Sequence, residues 1–388
     1  MLTAVGAEDM TPRRAPSRAG TLTSAQRSGN RALEGVVTGH LFKITRERAG
    51  LTQRGLSEVL SVDPTTVQGW ESGRRPLTAV PSAQFRAMRR CLLGRGADPA
   101  LLSLFDVAID ADAVLAHGLH DAQGEDYATH PLATSVFTRT STHMVAWALT
   151  GAPPAALPRA PSDMPSRRGP TPDGPLLGES ERRAFFENLR RHAEVADRAG
   201  EDGALLRRQA LYLCSYDAAP DTHAWIANMR SRQSRTPRSH SWTWADARSL
   251  ATSLTRYGDQ DALHAFIEHS IADDEGELAN LNYWGYWLGH DRLPRGDDSF
   301  MRGSSAWEAG ALLRSLVDRL NPDLGCIDLN VHSVWALLAA RPGLLASDPV
   351  LTRDLRERVS RLLDAGSVSQ QSRRELDAVH YGLKLNNS

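Results

Sequence analysis

The chain has 388 residues, 41% of them apolar, enough for two or three ordinary cores. Its net charge of −1 hides an asymmetry: residues 1–105 carry 15 Lys+Arg against 8 Asp+Glu, and the remainder carries 30 against 38, which puts a basic front end on an acidic body. No run of eighteen apolar residues marks a membrane span, no apolar stretch near the start marks a signal peptide, and three widely spaced cysteines (Cys91, Cys214, Cys326) suit a reducing cytoplasm rather than a disulfide framework.

Residues 1–30 are rich in Ser, Thr, Ala, Gly and Arg and poor in large apolar residues. They are expected to be a disordered basic arm. Glu34 to Arg48 predicts a first helix, with Val37, Leu41 and Ile44 recurring on one face. The segment Leu51 to Pro76, LTQRGLSEVLSVDPTTVQGWESGRRP, then reads as helix, tight turn, helix and basic loop. Thr52 caps the first of these helices, and Leu56, Val59 and Leu60 give it an apolar face. Ser61-Val62 is the turn; Asp63 as N-cap and Pro64 at the first helical position open the second helix abruptly. Val67 and Trp70 point back into a small core, which leaves Thr65, Thr66, Gln68 and Gly69 outside. Gly73 is a candidate left-handed cap, and Arg74-Arg75 follow. Ser82 to Leu93 predicts a fourth helix, and Asp98-Pro99 starts a fifth that runs to about His117.

LTQ, a leucine four residues on, and V-DPTTV-x-x-WE-x-G-RRP make this stretch resemble the lambda-repressor-like helix-turn-helix domain of the xenobiotic-response-element (XRE) family. The resemblance covers roughly Arg31 to Leu93, about a sixth of the chain. It implies a five-helix DNA-binding domain over residues 31–118 whose second motif helix enters the major groove. Carried over, Thr65, Thr66 and Gln68 meet base edges, with Gly69 on the same face. Gln53, Arg74, Arg75, Lys43 and Arg46 are the expected backbone contacts. Three positions depart from the family pattern: Ser61 stands where the turn usually has Gly, Ser57 where a small Ala is usual, and Gly69 lacks a base-reading side chain.

Residues 119–150 predict a connector with a short docked helix around Trp147. Residues 151–178 hold eight prolines and predict a semi-extended linker that lets the two halves move. From 179 to 388 the pattern is helical throughout, without a fixed repeat, so the fold class is all-α with an irregular C-terminal dimerisation or sensor domain. There, Asn282, Tyr283, Trp284, Tyr286, Trp287 and His290 lie in one aromatic stretch, a candidate ligand pocket or protein interface.

No G-x-S-x-G, HExxH, CxxC or phosphate-cradling glycine loop occurs. The expectation is therefore a non-enzymatic regulator with no cofactor and no metal, cytoplasmic and nucleoid-associated, bound to double-stranded DNA as a homodimer. A small-molecule effector or a protein partner is expected at the C-terminal half. The rival reading is an antitoxin-like module whose helical domain engages a protein partner.

Overall fold

A computed structural model of the chain describes residues 34–120, 127–159, 174–233, 240–304 and 307–385. The expected N-terminal arm lies outside these residues, as do the middle of the Pro-rich segment (160–173) and most of the Arg-rich loop after Gln233. Nineteen α-helices and no strand occur among the described residues.

The first part holds α1 (Val36–Arg48), α2 (Gln53–Leu60), α3 (Pro64–Glu71), α4 (Ser82–Gly94), α5 (Pro99–Ser103) and α6 (Phe105–Leu119). Polar caps start several of them as the sequence predicts. Thr52 accepts from the Gly55 amide at 2.9 Å, Asp63 from Thr65 at 2.8 Å and Asp98 from Ala100 at 2.8 Å. The expected single fifth helix is in fact two, α5 and α6, broken at Leu104. Leu101 and Phe105 both reach the core, where Phe105 meets Phe42 and Phe85 edge-on.

Helix α1 has no cap of its own. Asp112 of α6 supplies it, accepting from the Val37 amide at 2.8 Å, the Thr38 amide at 2.9 Å and the Thr38 hydroxyl. The crossing of α1 over α3 depends on Gly39, because a Cβ there would stand 2.3 Å from the Trp70 carbonyl oxygen.

The connector contains α7 (Pro131–Thr134) and α8 (Arg139–Thr150). Helix α8 is buried nearly throughout its second half and packs on α6 and α1, where Trp147 meets His40 edge-on at 5.1 Å between centroids. The remaining helices are α9 (Glu179–Arg198), α10 (Ala204–Cys214), α11 (Thr222–Gln233), α12 (His240–Thr255), α13 (Asp261–Ser270), α14 (Asp274–Trp287), α15 (Ala309–Val317), α16 (Ile327–Ala340), α17 (Leu344–Ser347), α18 (Pro349–Ala365) and α19 (Gln370–Leu385).

The cores do not divide at the Pro-rich segment. One hydrophobic core runs from Val37 to Cys214 and includes Leu177, Phe185, Phe186 and Leu189 beside the residues of α1, α6 and α8. A second runs from Leu211 to Leu383. The Leu177 amide donates to the Ala148 carbonyl at 2.9 Å, and Arg48 donates to the Pro158 carbonyl at 2.7 Å, so both described ends of the segment lie against the first part. The expected hinge therefore gives way to a common core, because Phe185 and Phe186 complete an apolar surface that α6 and α8 leave open.

The two cores share α10. Its Leu206, Ala210 and Leu213 face one and its Leu211 the other. Three successive buried polar residues of α10 each tie down a different segment. Arg207 pairs with Asp246 of α12. Arg208 forms a two-pronged pair with Asp298, one arm at 2.7 Å. Gln209 holds the loop before α8, donating to the Leu132 carbonyl at 2.8 Å and accepting from the Phe137 amide at 2.6 Å.

Candidate nucleic-acid interface

The turn between α2 and α3 is made by Ser61, whose φ of 53° and ψ of 43° are left-handed. Asp63 accepts from the Thr65 amide and, at 2.6 Å, from the Thr65 hydroxyl, and these bonds hold its carboxyl below the usual carboxylate range. Behind α3, Val67 is fully buried and Trp70 is 4% exposed, edge-on to Phe42. In front, Thr65 and Gln68 are exposed and Thr66 is half-buried. The exposed face of α3 is thus neutral and polar, set against a fixed apolar back.

Gly69 is buried rather than presented. A Cβ there would stand 3.0 Å from Cδ and 3.1 Å from Cγ of Arg75. The Arg75 amide donates to the Gly69 carbonyl at 3.0 Å, and its Nη1 donates to the Thr66 hydroxyl at 2.9 Å. Arg75 therefore lies along α3 with its stem on Gly69 and its charge beside Thr66. Arg74 is exposed and donates only to the Ser72 hydroxyl, at 3.1 Å, among its described contacts.

The expected backbone contacts separate into two kinds. Arg74 and Arg75 stand at the surface. Arg46 does not: it is 6% exposed, pairs with Glu71 and Glu47, and donates from Nη1 to the Leu51 carbonyl at 2.6 Å. Its guanidinium is spent inside the domain, which corrects the expectation that it meets phosphate. Gln53 sits between the two kinds. Its amide nitrogen donates to Glu71 at 2.7 Å, and the second amide hydrogen remains. Lys43 is half-buried on α1. Glu71, which the sequence reading passed over, is the residue that organises this corner. The signal was present, since an acid following Trp70 faces Arg46 and Gln53 once the two helices cross.

The C-terminal candidates also separate. Asn282 is consumed structurally, donating to the Met301 and Gly303 carbonyls at 2.8 and 3.1 Å and accepting from the Trp307 indole at 2.9 Å. Tyr286 donates to the Val136 carbonyl at 2.5 Å. His290 contacts the Ser315 hydroxyl at 3.0 Å, and burial holds its imidazole below the usual range. Tyr283, Trp284 and Trp287 instead meet a group of arginines and tyrosines in the interior.

No helix among the described residues is long and apolar enough to cross a membrane. No match was found among curated proteins or among solved structures. A family model described as a helix-turn-helix domain matches residues 38–105. That span contains Gln53, the Ser61 turn, α3 and the Arg74-Arg75 pair. Residues 38–105 are a helix-turn-helix domain of the lambda-repressor type.

Proposed function

We propose that the chain is a cytoplasmic, non-enzymatic transcriptional regulator of the XRE type that binds operator DNA as a homodimer. Its C-terminal helices carry dimerisation, sensing, or both. The observation that carries this reading is the exposed Thr65/Gln68 face of α3, fixed from behind by Val67 and Trp70 and flanked by Arg74 and Arg75. Small hydroxyl and amide side chains there suit base edges in the major groove, while the two arginines suit phosphates. Gln53 has one amide hydrogen left for a phosphate at the start of α2.

The test is footprinting of the full-length protein followed by binding measurements on the site found. Gln68→Ala should relax preference at one base pair by about 1–3 kcal/mol, and Arg74→Ala should weaken binding to all sequences and lower the salt slope by about 1. A protein that ignores duplex DNA at low salt, or an Arg74→Ala variant with an unchanged salt slope, would contradict the reading. Footprints with two-fold symmetry would carry the homodimer.

A further inference from the structure

The C-terminal helices hold arginines in two different ways. Arg190, Arg207 and Arg208 each meet a carboxylate: Asp217, Asp246 and Asp298. A second set meets none among the described residues. Arg248 is 4% exposed, and its Nε and Nη2 atoms are inaccessible and make no hydrogen bond. Its guanidinium lies 4.1 Å from the Tyr283 ring centre and 4.7 Å from that of Trp284. Arg319, half-buried, stands over the same Trp284 ring at 4.9 Å and makes only a long bond, 3.4 Å, to the side-chain amide oxygen of Asn330. Arg256, exposed at the rim of the group, covers the Tyr216 ring at 3.7 Å and donates to the hydroxyls of Tyr212 and Tyr216 at 2.9 Å each.

We propose that Arg248, Arg319 and Arg256, with the rings of Tyr212, Tyr283 and Trp284, form a binding site for a small oxyanion, carboxylate or phosphate. Aromatic faces satisfy part of a guanidinium's field but supply no acceptor, so the buried donors of Arg248 call for an oxygen anion.

Two further observations agree. Burial, with Arg139, Arg256 and Arg319 behind it, pushes the neighbouring His143 imidazole down to about 4, and burial with Arg139 pushes Arg319 down to about 10. The local field is therefore uncompensated and positive. In addition Cys326, whose thiol feels Arg248, Arg256 and Arg319, sits at a left-handed φ of 43°, a costly backbone at the edge of the group.

This inference deepens the sensing part of the proposed function, and its test includes no DNA. Failure here leaves the regulator reading standing, and loss of DNA binding leaves this site standing. Full-length protein is titrated with inorganic phosphate, acetate and, at matched ionic strength, sodium chloride, following melting temperature and tryptophan fluorescence. At least one oxyanion should raise the melting temperature and change the emission, and the chloride should do neither. A response to phosphate alone assigns a phosphate ligand, and to acetate alone a carboxylate.

Arg319→Met should weaken anion binding by about tenfold or more, yet raise the melting temperature of the free protein, because a half-buried charge without a carboxylate partner is removed. Arg248→Met should do the same. In wild type, NMR titration should show the His143 imidazole rising in pKa when the anion binds, a readout that needs no variant. No stabilisation by either anion, or stabilisation that survives Arg319→Met, overturns the site.

Discussion

Glu71 accepts from both Arg46 and Gln53, so one buried acid sets the angle between α1, α2 and α3. Around it, two residues that break local rules show what the domain requires. Ser61 takes a left-handed conformation without being glycine. Replacing it with Gly should stabilise the domain by about 1 kcal/mol in urea unfolding, since the steric cost of a Cβ in that region disappears. Gly69 breaks the opposite rule, sitting inside a helix where it costs about 1 kcal/mol relative to Ala. It is there because Arg75 lies on it. Gly69→Ala should therefore leave stability unchanged or raise it by up to about 1 kcal/mol while weakening DNA binding, as Arg75 is pushed off Thr66. Equal losses in stability and binding would contradict this. The sequence shows that Gly69 is odd, but not why, because its partner is six residues on and reaches it only through the turn at Gly73, whose φ is 72°.

Helix starts marked by Asp-Pro or Thr are legible, because a cap is a local interaction between neighbours. The start of α1 is not legible, because its cap comes from Asp112, more than seventy residues away. That carboxyl is pushed up to about 7 by burial, against the pull of its bonds from Thr38 and Val37. The folded value lies above the unfolded one of about 4. The folded state therefore holds the extra proton, and this group's contribution to stability is present in acid and is lost as pH rises from about 4 through about 7. Melting temperature against pH should flatten over that window in Asp112→Asn, even though the variant is less stable overall. Unaltered curvature would mean that the carboxyl stays ionised throughout. The aromatic stretch from Tyr283 to Trp287 is likewise visible in sequence, but its division of labour is tertiary. Tyr286 holds the loop before α8, whereas Tyr283 and Trp284 face Arg248.

At the scale of the whole molecule, prolines suggest a linker at 151–178, but the core between α6, α8 and α9 ignores it. Composition reports where the backbone is unlikely to be regular. It does not report which apolar faces on either side complete one another, and Leu177, Phe185 and Phe186 complete the first core. Protease cleavage within 160–173 should therefore leave two fragments that co-elute in gel filtration and melt as one species. Separate elution would restore the two-body arrangement. For the same reason a fragment ending near residue 118 should be poorly folded, lacking the apolar cover that Trp147 and Phe185 provide.

Helix α8 spans about 18 Å from Arg139 to Thr150. Its first turn stands among the unpaired arginines, and its far end leans on His40 of the helix that crosses the back of α3 at Gly39. Close packing along its second half gives this rod little room to absorb a push by bending. A shift of its leading end, if the arginines gain a counter-charge, should therefore reach α6 and α1 as tilt or translation rather than as a bend.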